Sequence, residues 1–65
     1  MKKILEKNGY EVWASWDATA EVYELFNDKE EGSCYVGVAD TLAEAVIVAQ
    51  WYVDEQLAES RWNAS

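Results

Sequence analysis

Carboxylate side chains supply most of the chemistry that this sequence of 65 residues could perform. The chain has 13 Asp and Glu against five Lys and Arg, with no histidine and one cysteine. Two acidic groups stand out, one in the segment 27–33 and the other formed by Asp54, Glu55 and Glu59. Carboxylates in such groups can transfer protons, bind a metal ion or present negative charge to a partner.

Catalysis is the use that the sequence supports least. Proton transfer at neutral pH requires a carboxylate whose pKa is shifted, and every acid here lies in a polar segment where we expect no such shift. No histidine and no glycine-rich phosphate loop accompany the acids. We therefore expect a protein that is not an enzyme, without catalytic residues or a cofactor.

Metal binding is also not expected. The segment 27–33 has the acidic composition of a calcium loop, but Lys29 occupies a position at which an EF-hand places an oxygen ligand. A zinc site would lack its usual histidine and paired cysteine ligands. Cys34 is expected to be a small buried apolar residue rather than a reactive thiol.

The longest element that the sequence predicts is an amphipathic helix over residues 40–61. Thr41 and Glu44 form a capping box, in which each side chain accepts a hydrogen bond from an otherwise unpaired backbone N–H. A stripe that is apolar apart from one glutamine then recurs at the i, i+3, i+4, i+7 spacing of one helical face. The stripe consists of Leu42, Ala45, Val46, Ala49, Tyr52, Val53, Gln56 and Leu57. At a rise of about 1.5 Å per residue, this helix is long enough to cover a small sheet.

The segment before the helix predicts short strands. Asn8-Gly9 is typical of a type I′ hairpin turn, so residues 3–7 form either a short strand or a loose basic arm. Residues 10–16 alternate as a half-buried strand with Trp13 on the outward face. Residues 20–27 favour a strand by their β-branched and aromatic content, although two turns of helix over residues 18–26 also fit the pattern.

The last predicted strand covers residues 33–39. Alternation places Cys34, Val36 and Val38 inward and the residues between them outward. Gly37 marks either a bulge or a place where another backbone approaches closely.

These elements combine into one α+β domain spanning residues 1–65. We expect an antiparallel meander of three or four strands covered by one long C-terminal helix, a βββα order. The N-terminal arm or strand occupies residues 1–9, the sheet 10–39, the helix 40–61 and a tail 62–65.

The negative charge is concentrated after Lys7. The first seven residues hold three of the five bases and one of the 13 acids, which leaves 12 acids against two bases, a net charge of −10. Solubility is the ordinary reason for such a surplus. Asp54, Glu55 and Glu59 suggest a second reason, because each lies in the helix half where the backbone dipole disfavours carboxylates by about 0.3–1 kcal/mol.

A partner rich in Lys and Arg would explain why a small domain keeps such charges. Protein surfaces that receive nucleic acid are lined with these residues. A rigid acidic body could occupy such a surface competitively, without binding nucleic acid itself. Trp51 lies beside Glu55 and could anchor the contact, although a core position is the alternative. The candidate partner-binding residues are Glu21, Glu24, Asp28, Glu30, Glu31, Trp51, Asp54, Glu55 and Glu59.

In size, acidity, absence of cysteine pairs and strand-helix plan, the chain resembles the small acidic anti-CRISPR proteins of phages and mobile elements, several of which mimic DNA. The resemblance implies binding to a Cas subunit of a CRISPR complex at a surface that receives target DNA, and therefore inhibition of interference. No run approaches the roughly 18 apolar residues of a membrane span, and the N-terminus lacks a signal-peptide apolar region. We expect a cytoplasmic monomer, in the host bacterium if a phage encodes it, with no membrane contact.

A second resemblance is local. The sequence YVGVADTLAEA, from Tyr35 to Ala45, is similar to the strand and T-L-x-E-A helix start of HicB-like antitoxin domains, which share a strand-strand-strand-helix order. This resemblance implies an alternative function as a toxin-neutralising or general protein-interaction module. The 65 residues include no DNA-binding module of the kind found at the C-terminus in that family, so we do not expect a repressor role.

Overall fold

The computed structural model describes residues 1–28 and 34–63. Within these ranges, four strands precede one helix. The strands are β1 (Lys2–Lys7), β2 (Tyr10–Asp17), β3 (Val22–Phe26) and β4 (Tyr35–Ala39), and the helix is α1 (Leu42–Asn63). The strands form one antiparallel sheet in the order β1-β2-β3-β4, and α1 packs on one face of it. The predicted α+β fold is confirmed, with four strands in the meander.

The first hairpin turns at Asn8-Gly9, as its sequence predicts. Both residues have positive φ angles, of 52° and 86°, as a type I′ turn requires. The turn places Glu6 directly opposite Glu11. Lys3 Nζ lies 3.4 Å from a Glu6 oxygen and 3.8 Å from a Glu11 oxygen, so the lysine offsets the repulsion between the two carboxylates. Residues 3–7 belong to a strand, and the loose-arm alternative is wrong.

The turn between β2 and β3 is organised by Asp17. Its Oδ1 accepts hydrogen bonds from the backbone N–H groups of Thr19 at 3.0 Å and Ala20 at 3.2 Å. Its carbonyl oxygen accepts a 2.7 Å bond from the N–H of Glu21. Because these bonds hold the segment as a turn, β3 starts only at Val22. The strand predicted over residues 20–27 is confirmed at its centre, and the helical alternative is wrong.

The pairing of β3 with β4 contains a bulge. Leu25 lies opposite Gly37, but the next residue of β3, Phe26, lies opposite Tyr35. Val36 is therefore the extra residue of β4, and it packs against the core. A bulge changes which later residues of a strand face inward, and simple alternation does not anticipate it.

As a result, the end of β4 faces α1 with different residues from those predicted. Gly37 lies on the inner face, where an added Cβ would come within 3.3 Å of Cγ1 of Val48 in α1. Ala39 is buried and Val38 is exposed, so the predicted inward position of Val38 is wrong. Cys34, just before the strand, is also exposed, and its predicted burial is wrong.

The core lies between the sheet and α1. Val12, Ala14, Leu25 and Ala39 of the sheet face Ala45, Ala49 and Val53 of the helix, and all seven are buried. The three helical residues recur at i, i+4 and i+8, which keeps them on one face. The predicted apolar stripe is therefore confirmed, except that Leu42 at its N-terminal end is exposed.

The capping box at the start of α1 is formed as predicted. The N–H of Glu44 donates to Thr41 Oγ1 at 3.1 Å, and the N–H of Asp40 donates to Glu44 Oε2 at 3.2 Å. The helix begins at Leu42 and continues to Asn63, so the predicted tail is helical at residues 62 and 63. No helix in the described ranges combines the length and apolar character that crossing a bilayer requires.

Candidate partner-binding surface

The solvent-facing side of α1 carries large apolar side chains that are exposed. Burial of Ala45, Ala49 and Val53 fixes the rotation of α1 on the sheet. Successive residues turn by about 100°, so Ile47 and Trp51 point away from the core. Trp51 is 69% exposed and Ile47 is 47% exposed. The core position considered for Trp51 is therefore wrong.

A shallow depression lies beside Trp51 on this side of the helix. Its volume is about 300 Å³, and it is lined by Glu44, Ile47, Val48 and Trp51. These residues follow the i, i+3, i+4, i+7 spacing of one helical face. Glu55 lies one turn beyond Trp51 and is exposed. We call the group Glu44, Ile47, Val48, Trp51 and Glu55 the helix surface.

The three predicted acids of α1 do not all belong to the helix surface. Glu55 and Glu59 are exposed and one turn apart, on the flank of α1 that also carries Val48, whose side chain lies next to Gly37 of β4. Asp54 lies on the opposite flank, where its Oδ1 is 3.3 Å from Nζ of Lys7 in β1. This exposed ion pair compensates the charge of Asp54, so Glu55 and Glu59 are the two of these three acids that add to the negative charge on the side of Trp51.

Of the remaining predicted acids, the structure describes Glu21, Glu24 and Asp28, and none of them belongs to α1. Glu21 is exposed in the turn between β2 and β3, with a positive φ of 57°. Glu24 lies on the face of the sheet that is turned away from α1, and Asp28 is exposed just after β3. Glu30 and Glu31 lie outside the described residues. The predicted acids that the structure describes therefore do not share one face.

Two carboxylates of the sheet do have shifted pKa values, contrary to the sequence expectation. The pKa of Asp17 is lowered by the N–H of Ala20, by a hydrogen bond with Glu24 and by the N–H of Thr19. The pKa of Glu24 is raised by that hydrogen bond with Asp17, by desolvation and by the charge of Asp17. The two side chains meet because Asp17 and Glu24 occupy neighbouring positions on one face of the β2–β3 hairpin. Long-range pairing produces this contact, which composition does not reveal.

Three members of the helix surface were not predicted as binding residues. Glu44 was assigned only to the capping box, and Ile47 and Val48 were not assigned a role. Their spacing relative to Trp51 is a signal that the sequence does contain, because it recurs along one side of the helix outside the buried stripe. Its meaning depends on knowing that Trp51 is exposed.

No family model, curated protein or solved structure matches this chain.

Proposed function

We propose that this domain is a non-catalytic binding protein that attaches to a basic protein surface through the helix surface and inhibits its partner. The observation that carries the proposal is Trp51, a large aromatic side chain left 69% exposed beside a depression of about 300 Å³. Tryptophan is enriched among the residues that dominate binding energy when they become buried in an interface. Because Trp51 is exposed, the fold does not gain the hydrophobic stabilisation that burial of its indole ring would give. A partner that covers Trp51 would gain this stabilisation on binding.

The charge around Trp51 specifies the kind of partner. Glu44 and Glu55 lie on either side of it along the helix, and Glu59 follows one turn later. The formal charge of the chain is −8, so its field attracts cationic surfaces over a distance of about one Debye length, roughly 8–10 Å. A surface rich in Lys and Arg therefore complements both the apolar anchor and its acidic surroundings.

A surface that receives nucleic acid is the basic surface that we propose. Occupation of it by an acidic body competes with DNA, because both need the same cationic side chains. The resemblance to anti-CRISPR proteins implies that the specific partner is a Cas subunit of a CRISPR complex. Inhibition then consists of excluding target DNA, without any reaction catalysed by this chain.

A competition experiment tests this function. The purified domain is incubated with a CRISPR complex and a labelled target duplex, and displacement of the duplex is measured at low and high salt. We expect displacement that weakens as salt rises, and we expect Trp51→Ala and the double change Glu55→Lys, Glu59→Lys to weaken it strongly. Glu21→Lys, in the β2–β3 turn, is the matched charge control for each of the single changes Glu55→Lys and Glu59→Lys.

Equal displacement by the helix variants and the parent protein would exclude the helix surface. Retention of the labelled duplex by every CRISPR complex tested would remove the Cas assignment while leaving open another basic partner. A pull-down from lysate with parent and Trp51→Ala proteins distinguishes these cases, because a genuine partner is lost from the variant.

Neutralisation of a toxin is a second candidate function. The observation that favours it is the order of β2, β3, β4 and α1, which is the strand-strand-strand-helix order of the HicB-like domains that residues 35–45 resemble. Coexpression with a small basic toxin tests it directly. Restored growth that depends on Trp51 would favour this function, and failure to rescue cells from any such toxin would count against it.

A further inference from the structure

A row of aromatic side chains crosses the outer face of the sheet, the face turned away from α1. Trp13 of β2 lies opposite Phe26 of β3, and Phe26 lies opposite Tyr35 of β4. Lys3 of β1 lies opposite Trp13 at the other end. Side chains directly opposite each other on one face have Cβ atoms about 4.5–5.5 Å apart. Trp13, Phe26 and Tyr35, here called the aromatic row, therefore form one continuous strip with Lys3 at its β1 end.

The aromatic row is open to solvent at its β4 end. Its members alternate along the strands with buried residues such as Val12 and Leu25, so they point away from α1. In the part of the chain that the structure describes, no element packs on this outer face. Tyr35 is 59% exposed, and Val38 in the adjacent row is 49% exposed. An aromatic and apolar surface is thus left uncovered on the opposite side of the molecule from the helix surface.

The β1 end of the row already binds a cation of the chain itself. Lys3 Nζ lies 5.8 Å from the centroid of the Trp13 ring, within the range of cation–π attraction. The carboxylate of Glu11 accepts a 3.1 Å hydrogen bond from Trp13 Nε1 and lies 3.8 Å from Lys3 Nζ. A ring and a neighbouring carboxylate therefore hold one ammonium group between them.

The β4 end repeats the ring and the carboxylate without the cation. Phe26 and Tyr35 pack edge to face, with ring centroids 6.0 Å apart. Glu24 lies in the adjacent row on the same face, directly opposite Val38. Among the described residues, no Lys or Arg forms an ion pair with Glu24. Its neighbour Asp17 adds a second negative charge instead.

We propose that the β4 end of the aromatic row binds an arginine side chain presented by an exposed segment of a partner protein. A guanidinium group is planar, stacks on aromatic rings and donates two parallel hydrogen bonds to a carboxylate. Tyr35 supplies the ring and Glu24 supplies the carboxylate. Lysine offers a compact charge without the planar fork, so it satisfies the ring and the carboxylate less well.

Charge favours this occupant over two others. Single-stranded nucleic acid also stacks on aromatic residues of an open sheet. A second copy of the chain could cover the same face. The strands, however, place four carboxylates and one lysine, Lys3, on the outer face, and this net negative charge repels both phosphates and another copy of this acidic chain. The four carboxylates are Glu6, Glu11, Asp17 and Glu24. An arginine-bearing segment is the occupant with complementary charge.

The test uses the full ¹⁵N-labelled chain and two blocked peptides of equal length and charge. One peptide alternates glycine with arginine, and the other alternates glycine with lysine. We expect the arginine peptide to bind more tightly and to shift the backbone amide signals of Phe26, Tyr35 and Val38. Tyr35→Thr removes the ring but keeps a residue of high β propensity in the strand, and it is expected to weaken that binding roughly fivefold.

Glu24→Gln provides a second variant that removes the charge and keeps both rings. We expect it to weaken the arginine peptide as well, and the dispersion of the amide signals reports whether each variant folds. If Tyr35→Thr does not fold, Glu24→Gln alone decides. Glu21→Gln is the matched control for the loss of one carboxylate.

Any of three results overturns the proposal: equal affinity for the two peptides, signal changes confined to α1, or unchanged binding of the arginine peptide by the folded variants. Tighter binding of a single-stranded oligonucleotide at the same amides assigns the face to nucleic acid instead. Shifts of these amides that depend on protein concentration alone assign it to a second copy. The result is separable from the function of the helix surface, because the two sets of amides lie on opposite sides of the molecule.

Discussion

Glu21 adopts a backbone conformation that residues other than glycine rarely occupy. Its φ is 57°, and its N–H closes the β2–β3 turn by donating to the carbonyl oxygen of Asp17 at 2.7 Å. The left-handed conformation costs an L-residue with a Cβ atom about 1–2 kcal/mol. Glycine avoids this cost, although it adds conformational freedom to the unfolded chain. The turn therefore keeps a strained residue where a less strained one would fit.

Glu21→Gly is expected to raise the free energy of unfolding by about 0.5–1 kcal/mol, because relief of strain exceeds the entropy that glycine adds. Urea denaturation measures the change. Ala18→Gly, in the same turn, is the control. Ala18 has no positive φ to relieve, so the substitution should lower stability. A lower stability for Glu21→Gly than for the parent protein would show that the side chain contributes more than its strain costs.

Asp17 and Glu24 make opposite contributions to the pH dependence of stability. The pKa of Asp17 lies below its ordinary 3.8, so its ionised form stabilises the fold above that pH and the benefit is lost as pH falls through the lowered value. The pKa of Glu24 lies above its ordinary 4.5, so ionisation of Glu24 disfavours the fold at neutral pH. That penalty disappears as pH falls through 4.5, where Glu24 is protonated in both states.

Substitution of each carboxyl by its amide separates the two effects. At neutral pH, Glu24→Gln is expected to raise the thermal midpoint and Asp17→Asn to lower it. Both differences should shrink in acid, the first as Glu24 of the parent protein becomes protonated and the second as Asp17 does. Thermal unfolding followed by circular dichroism between pH 7 and strongly acidic conditions checks the signs. Two changes of the same sign at neutral pH would contradict the assignment.

At the scale of elements, the contact between β4 and α1 depends on the absence of a side chain at Gly37. A Cβ there would lie 3.3 Å from Cγ1 of Val48. Sequence inspection predicted a bulge or a close backbone approach at this glycine. The bulge lies at the preceding residue, Val36, and what approaches Gly37 is the Val48 side chain. The bulge matters because it turns Gly37 toward the helix.

Gly37→Val is expected to lower the free energy of unfolding by about 1–3 kcal/mol, because two branched side chains would compete for one position. Val48→Ala in the same chain removes the methyl groups that clash. The double variant should therefore be less unstable than the sum of the two single changes, which a double-mutant cycle by urea denaturation measures. Additive effects would show that the β4 substitution acts through the strand alone.

Packing explains why α1 buries small residues on one side and exposes a large one on the other. Small residues Ala45 and Ala49 are fully buried, whereas the far larger Trp51 is exposed. Short alanine side chains let α1 lie close to the sheet, and no position on the buried side remains for an indole ring. A large aromatic residue in a small domain usually stabilises the core. Here the close packing of α1 on the sheet leaves Trp51 at the surface.

Because the whole molecule carries a surplus of negative charge, we expect salt to stabilise the fold and to weaken binding to a partner. The formal charge is −8, and the three ion pairs between described side chains are all partly exposed. Raising ionic strength from about 0.01 M to 0.15 M shortens the Debye length from about 30 Å to 8 Å, which screens repulsion among the acids. We expect the thermal midpoint to rise while partner affinity falls. A thermal midpoint that falls with salt would mean that the ion pairs outweigh the repulsion.

The sequence by itself determined the order of the elements and much of their local geometry. Asn8-Gly9 requires a tight turn because both residues tolerate positive φ, and Thr41 with Glu44 satisfies the orphan N–H groups of a helix start. The spacing of the apolar residues chose the buried side of α1. These features depend on neighbours within a few positions, so a linear pattern contains them.

Only the tertiary structure decided what lies next to what across the sheet. The bulge at Val36 reversed the facing of the residues after it, because register depends on pairing with β3. The contact of Glu24 with Asp17 and the aromatic row both form between different strands. The ion pair of Lys7 with Asp54 forms between a strand and the helix. The sequence indicated Trp51 as a candidate binding residue, but its exposure depends on the rotation of α1 on the sheet. Charge count predicted an acidic protein, and the packing of one helix on one sheet determined where that acidity can meet a partner.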